Sequence, residues 1–173
     1  VFTACGSARM RLHGSRGYGE SERQLSQLMA PGDLSCQSGA VRTAGLGALS
    51  GSWYDQARPG QGLVVQARND GSAMVLFFGY GPVGEPIWLY GQGKIGANGR
   101  VVLDDIVRPR GTWFDAFDAK AVERAPWGDM TLDFASCDAV ELRYHGVEPG
   151  FDEGMIALSR LTRPSGLGDC GLR

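Results

Sequence analysis

Hydrophobic and polar positions alternate along much of the chain after residue 50, in short runs separated by turn-forming residues. Three of these runs, 61–68, 72–80 and 85–92, are divided by Asn-Asp-Gly and by Gly-Pro-Val-Gly. A period of two is typical of a strand with one buried face, and both separators are typical of tight turns. The pattern therefore predicts consecutive antiparallel hairpins.

About eight such segments follow one another at intervals of roughly ten to twelve residues. The predicted strands are 51–56, 61–68, 72–80, 85–92, 99–107, 129–135, 139–145 and 154–162. This spacing is typical of all-β folds and predicts an antiparallel barrel or sandwich. The aromatic-rich stretch 108–128 breaks the pattern and predicts a long loop, with a turn of helix near 116–124.

The beginning of the chain has a different pattern. Alternation at 8–13 predicts a strand, and 20–29 predicts a short helix, because Ser21 is a suitable N-cap and apolar residues recur at helical spacing. We therefore divide the chain into an N-terminal extension over 1–45, clamped by its own disulfide, and an antiparallel β-barrel domain over 46–173.

Two predicted strands, 72–80 and 85–92, are apolar on both faces. In the second, Trp88 and Tyr90 alternate with aliphatic residues. An antiparallel sheet in water normally keeps one face polar. The second face must therefore be covered by the N-terminal extension, the 108–128 loop, a ligand or another subunit. This is the main indication of a binding surface.

Composition narrows the classes of partner. A formal net charge of −2 with 21% charged residues argues against a nucleic-acid partner. No run approaches the roughly 18 to 20 apolar residues that a membrane-spanning helix needs, so no membrane span is expected.

The chain contains four cysteines, which are Cys5, Cys36, Cys137 and Cys170. None forms a Cys-x-x-Cys pair, and the two histidines are not spaced to complete a zinc site with them, so we expect no metal. Two structural disulfides predict a secreted protein, or one of the periplasm or cell envelope. Three pairings are open. We favour pairing the first two cysteines and the last two, because each pair closes a local loop.

Catalytic signals are weak. The chain has no Gly-x-Ser-x-Gly elbow, His-Glu-x-x-His motif or phosphate-binding glycine loop, and no cofactor is expected. Asp104 and Asp105 are adjacent, so a regular strand would point them to opposite faces; Asp115 and Asp118 lie in the aromatic loop. These carboxylates leave acid–base chemistry open, but the sequence favours a non-enzymatic role.

Aromatic residues are the best candidates for a ligand site, although burial in the core explains most of them individually. If several line one concave surface, they suit apolar, glycan or protein partners. The candidates are Trp53, Tyr54, Tyr80, Trp88, Tyr90 and Trp113.

Two resemblances add to this interpretation. The segment Gly51-Ser52-Trp53-Tyr54, which opens the hairpins, resembles the Gly-x-Trp start of the calycin barrels, which include lipocalins and avidins. That resemblance implies that Trp53 closes one barrel end and that the interior holds a small ligand.

A longer pattern resembles an uncharacterised domain of secreted bacterial proteins, and it covers most of 50–170. It implies secretion and a β fold, with no activity to transfer. The matching residues are Ser50, Gly51, Trp53, Tyr54, Asp55, Arg58, Gly60, Gly62, Tyr80, Gly84, Pro86, Trp88, Pro126-Trp127-Gly128, Phe134 to Cys137, Leu161-Thr162-Arg163, Gly166-Leu167 and Cys170.

The sequence thus predicts a secreted, disulfide-stabilised β-barrel that binds a small ligand, glycan or protein without catalysis. One alternative is a self-assembling extracellular subunit or an inhibitor of a secreted enzyme. A second alternative is a hydrolase that uses carboxylates of the 104–118 region.

Overall fold

A computed structural model describes residues 1–15, 19–33, 45–112 and 117–172 of the chain. Over these ranges the protein is built almost entirely from strands. They are β1 (Phe2–Ala4), β2 (Ser7–Gly14), β3 (Gly19–Ser26), β4 (Gly51–Tyr54), β5 (Gly62–Ala67), β6 (Ser72–Tyr80), β7 (Pro86–Ile95), β8 (Arg100–Arg110), β9 (Glu123–Ser136), β10 (Ala139–Gly146) and β11 (Glu153–Arg160). Short 3₁₀ turns occupy Pro31–Asp33, Leu46–Leu49 and Ala119–Ala121.

Strands β4 to β11 form a closed antiparallel barrel, in which each strand pairs with the next and β11 returns to β4. The closing pair is short, with Arg160 opposite Trp53 and Ser159 opposite Tyr54. Its pairing is extended by the Leu161 amide, which donates to the Ser52 carbonyl at 2.8 Å. The predicted all-β fold is therefore confirmed as a barrel, and each of the eight predicted strands overlaps an observed one.

Alternation along the strands fills the barrel. On β5, Leu63, Val65 and Ala67 are buried inside, while the intervening side chains face outward. Because a barrel has a single interior, these inward positions from all eight strands meet in one core. Its largest fully buried side chains include Trp53, Leu49, Leu63, Leu89, Leu103, Met130, Leu132 and Leu142.

The N-terminal strands β1, β2 and β3 form a separate three-stranded sheet. The predicted strand at 8–13 is confirmed within β2, but the predicted helix over 20–29 is wrong, because residues 19–26 form β3. Cross-strand pairing with β2 outweighs the weak helical pattern: Glu22 lies opposite Arg11 and accepts its hydrogen bond at 2.7 Å. That hydrogen bond also lowers the pKa of Glu22. The boundary between extension and barrel domain stays a prediction.

The predicted loop over 108–128 is shorter than expected, because β8 continues to Arg110 and β9 begins at Glu123. Trp127 belongs to β9, and its side chain lies inside the barrel. The strand was hidden by Pro126 and Gly128, which lie where the pairing of β8 with β9 is irregular. The 3₁₀ turn at 119–121 falls within the predicted helical turn.

Candidate functional site

The two ends of the barrel are built differently, and the end that carries Trp53 is closed. Trp53 is 1% exposed, and its ring meets the ring of Phe134 edge-on at a centroid distance of 5.1 Å. The guanidinium of Arg160 stacks over the indole, 4.2 Å from its centroid. A cation over an indole face is attracted by the ring's negative electrostatic face. These three side chains close this end.

Arg160 also ties the closed end to the surrounding backbone. Its guanidinium donates to the carbonyl oxygens of Cys137, Ser50 and Ala48 at 2.5, 2.9 and 3.1 Å. Burial lowers the pKa of Arg160, and the charge of Asp138 partly offsets this effect. Each of its three guanidinium nitrogens has a backbone acceptor, so this arginine acts as a structural plug.

Gly51 explains why the Gly-x-Trp segment begins with glycine. Its φ of 148° lies outside the usual range of other residues, and a Cβ there would approach the Thr162 carbonyl oxygen to 2.2 Å. The glycine therefore lets the segment after β11 cross closely over the start of β4.

The opposite end of the barrel contains a cavity of about 160 Å³. It reaches the surface beside Arg58 and Tyr80, whose side chains are exposed. The lining is mainly aromatic and aliphatic and consists of Arg58, Gln61, Phe77, Tyr80, Pro82, Trp127, Met130, Leu142, Tyr144, Gly150, Phe151 and Ile156. We call this space the open-end cavity. A cavity near 150 Å³ accommodates a ligand of benzene size.

Trp127 is the central side chain of the open-end cavity. It is 2% exposed, and its ring lies 5.5 Å from that of Phe151 and 5.9 Å from that of Tyr144. Its buried indole N–H has no acceptor among the described residues. Since an unmet buried donor costs free energy, the wall of the cavity carries a polar group that a ligand or water can satisfy.

Two loops border the open-end cavity, through Pro82 on one side and Gly150 on the other. Gly150 has a φ of 89°, and a Cβ at this position would approach the Pro82 ring to 2.6 Å. The close approach of the two loops therefore depends on glycine.

Arg108 holds the same two loops together. Its guanidinium donates to Glu148 at 2.7 Å and to Glu85 at 3.3 Å, and its side chain is largely buried. Burial acts to lower the pKa of Arg108, but the hydrogen bonds and charges of the two glutamates outweigh it and raise that pKa. We call these three residues the Arg108 latch.

A separate groove of about 820 Å³ lies on the outside of the barrel. Its floor is the outer face of β6, β7 and β8, where Trp88 is 44% exposed. Leu28 of the N-terminal extension and Phe117 of the loop before β9 flank it. The predicted second apolar face therefore exists, and the described residues of the two segments expected to cover it lie along its border.

The structure distributes the predicted ligand residues among different places. Trp53 lies in the closed end, and Tyr54 is half-buried on the other side of β4. Tyr80 lines the open-end cavity, whereas Trp88 and Tyr90 line the outer groove. Trp113 lies outside the described residues.

Sequence reasoning missed Trp127, Tyr144 and Phe151 as neighbours in one cavity. Trp127 was assigned to a loop, and the other two lie on β10 and beyond it. Arg58 was named only as one of the residues that resemble the domain of secreted bacterial proteins. Inward alternation at the start of β9 is the signal that could have found Trp127, but Pro126 and Gly128 obscured it.

The predicted disulfide between Cys137 and Cys170 is present and closes a separation of 33 residues. Cys5 is disulfide-bonded as well, but Cys36 lies outside the described residues, so its pairing stays a prediction. Asp169 lies beside the first bridge, with an oxygen 2.8 Å from the Cys137 sulfur. Because both sulfurs are bonded to each other, this group offers no thiolate ligands to a metal.

Among the described carboxylates proposed for acid–base chemistry, none lines the open-end cavity or the outer groove, and Asp104 and Asp105 line a different surface groove of about 520 Å³. Asp104 and Asp105 are both exposed, so the expectation that they point to opposite faces is wrong; the pairing of β8 with β9 is irregular between residues 103 and 106. Asp118 accepts the Lys120 amide at 2.9 Å and caps the 3₁₀ turn. Asp115 lies outside the described residues.

No protein-family model, curated protein or solved structure matched the chain. Among the described residues, no helix has the length and apolar character needed to cross a membrane.

Proposed function

We propose that this protein is a secreted or periplasmic binding module, without catalytic activity, that takes a small ligand into the open-end cavity. The observation that carries the proposal is an aromatic-lined space of about 160 Å³ at one barrel end, opposite an end sealed by Trp53 and Arg160. Small-molecule sites are concave and mostly apolar, with a few convergent polar groups, and barrel mouths are a common location for them.

Two further features support the proposal. The position of Trp53 fits what a calycin-like barrel implies, with one end closed by this residue and the ligand inside. The Cys137–Cys170 disulfide favours an oxidising compartment, in keeping with the resemblance to a domain of secreted bacterial proteins.

Toluene is a suitable probe, because it is apolar and close in size to the open-end cavity. We expect saturable binding by calorimetry, and we expect Ile156→Phe, which puts a ring into the cavity, to weaken it about tenfold or more. Trp88→Ala removes an exposed ring from the outer groove and serves as the matched control. If Trp88→Ala weakens binding and Ile156→Phe does not, the groove is the site and the proposal fails.

The outer groove favours a second function, self-assembly, because Phe78 and Trp88 each expose 44% of their surface on neighbouring strands. Aromatic side chains in exposed apolar patches are typical of protein interfaces. Light scattering on the oxidised protein tests this function. A stable oligomer that Trp88→Ala dissociates supports it, whereas a monomer at high concentration excludes it.

A further inference from the structure

We infer that the ligand of the open-end cavity is a small aromatic anion, of the chemical class of an arenecarboxylate. This inference rests on the proposed function, because it names the class of molecule that the same cavity takes. It is carried by Arg58, by the Trp127 indole N–H and by the shape of the lining.

Charge is the first argument. Among the described residues that line the open-end cavity, Arg58 is the only charged one, so the lining is positive. A cation would meet this guanidinium without a lining carboxylate to balance it. An anion would meet an opposite charge at the rim, and because the Arg58 side chain is 64% exposed, salt should screen this attraction.

The arrangement of Arg58 is the second argument. Its Nε lies 3.8 Å from an oxygen of Asp55, whose other oxygen accepts the Ala57 amide at 2.8 Å. Within the described part of the chain, the terminal NH₂ groups of Arg58 have no hydrogen-bonded acceptor. These groups make the planar, two-point contact with a carboxylate that a lysine does not make.

The Trp127 indole is the third argument. An indole N–H is a donor only, so a ligand that carries an acceptor can take the place of water on it; the buried Trp53 indole also lacks an acceptor among the described residues, but it does not line this cavity. The neighbouring rings of Tyr144 and Phe151 present edges and faces that suit an aromatic ring. The cavity volume of about 160 Å³ limits that ring to roughly the size of benzene.

The test compares three probes of nearly equal size by calorimetry: benzoate, toluene and benzylammonium. We expect benzoate to bind about tenfold or more tightly than benzylammonium, and this preference to weaken as salt is added. We expect Arg58→Gln to abolish the preference for benzoate and to leave toluene affinity unchanged.

Arg100→Gln is the matched control, because Arg100 is also exposed and lies 3.6 Å from a carboxylate, that of Asp133, near the opposite end. It should leave all three affinities unchanged. Trp127→Phe keeps an aromatic ring and removes the N–H, and should weaken benzoate more than toluene. Circular dichroism verifies that each variant is folded.

The outcomes separate the two proposals. If toluene binds but benzoate binds no more tightly than the other probes, the inference about the anion is overturned and the binding module stands. The same holds if Arg58→Gln leaves the preference for benzoate intact. If benzylammonium binds as tightly as benzoate, the inference is likewise overturned. If none of the three probes binds, both proposals fail.

Discussion

The two ends of this barrel use similar side chains to opposite effect. Each end holds a buried tryptophan, Trp53 or Trp127, beside an aromatic ring met edge-on. Each has an arginine as well, but the Arg160 side chain is 5% exposed and that of Arg58 is 64% exposed. Only the first of these arginines donates to backbone carbonyls from all three guanidinium nitrogens.

This difference shows that the ability of a barrel end to bind a ligand depends on whether its arginine is already hydrogen-bonded within the protein. Arg160 donates to three carbonyl oxygens and stacks on Trp53, so the arginine of the closed end finds its partners within the protein, although the Trp53 indole N–H, like that of Trp127, has no acceptor among the described residues. The open end differs in keeping a cavity, and in the terminal NH₂ groups of Arg58, which have no hydrogen-bonded acceptor among the described residues. Stability should therefore concentrate at the closed end, and binding at the open end.

Truncation of the two buried tryptophans should have the largest effects on the free energy of unfolding, and the effects should differ between the two ends. We expect Trp53→Ala to lower the free energy of unfolding by about 5 kcal/mol, because the closed end is filled and cannot collapse around the void. Trp127→Ala should cost about 3 kcal/mol, since its void joins a cavity that already reaches solvent. Urea denaturation measures both, and equal losses would contradict a difference in packing.

Removal of the Cys137–Cys170 disulfide should have the next largest effect on the free energy of unfolding. It joins the turn between β9 and β10 to the terminal segment at the closed end, and its separation of 33 residues predicts a loss of about 3 to 4 kcal/mol when both cysteines are changed to serine. The same double variant should keep toluene affinity while folded. Loss of binding in a folded variant would show that the two ends are coupled.

Replacement of Arg160 measures how much this side chain stabilises the closed end. Arg160→Ala leaves three carbonyl oxygens without their donor and removes the stacking on Trp53, so we expect a loss of about 3 kcal/mol. Arg163→Ala is the matched control, because Arg163 pairs with the same Asp138 but is exposed, and it should cost less than about 1 kcal/mol. Similar losses for both variants would mean that Arg160 is not a plug.

The smallest effect should come from pH at the Arg108 latch. The backbone amide of Glu85, with help from Arg108, lowers the pKa of this carboxyl below its ordinary value of 4.5. A lowered pKa stabilises the folded loops above the ordinary value, and this contribution is lost as the pH falls through the lowered one. Acidification should therefore speed amide hydrogen exchange in 81–85 and 147–152, after the rates are corrected for the intrinsic effect of pH on exchange.

Arg108→Met provides the comparison for that experiment. It removes the cation, so exchange in both loops should already be faster at neutral pH and should respond less to acid. Unchanged protection in this variant would show that the latch does not hold the loops.

Much of the barrel could be predicted from sequence, because alternation over β5 to β7 is clear and the turns between them carry strong signals. The extension was predicted less well, since the helical spacing in 20–29 is weak, and the strand there depends on distant pairing with Arg11 and its neighbours.

The candidate site could be predicted only in part, because its members meet through barrel closure and not through local sequence. Tyr80 was among the aromatic candidates, and it lines the open-end cavity. Trp127 was concealed by Pro126 and Gly128, and the contact of Arg160 with Trp53 joins strands that are distant in sequence. The local signal for Trp127 was obscured and the contact of Arg160 with Trp53 leaves none, so both relationships became visible only in the three-dimensional structure.

The most direct test of the account is a nuclear magnetic resonance titration that follows the four tryptophan indole N–H signals as benzoate is added. The chain places Trp53 at the closed end, Trp88 in the outer groove and Trp127 in the open-end cavity. We predict a saturable shift of the Trp127 signal, with those of Trp53 and Trp88 unchanged. An unchanged Trp127 signal, or a shift of the Trp88 signal larger than that of Trp127, would contradict the assignment of the ligand site to the open end.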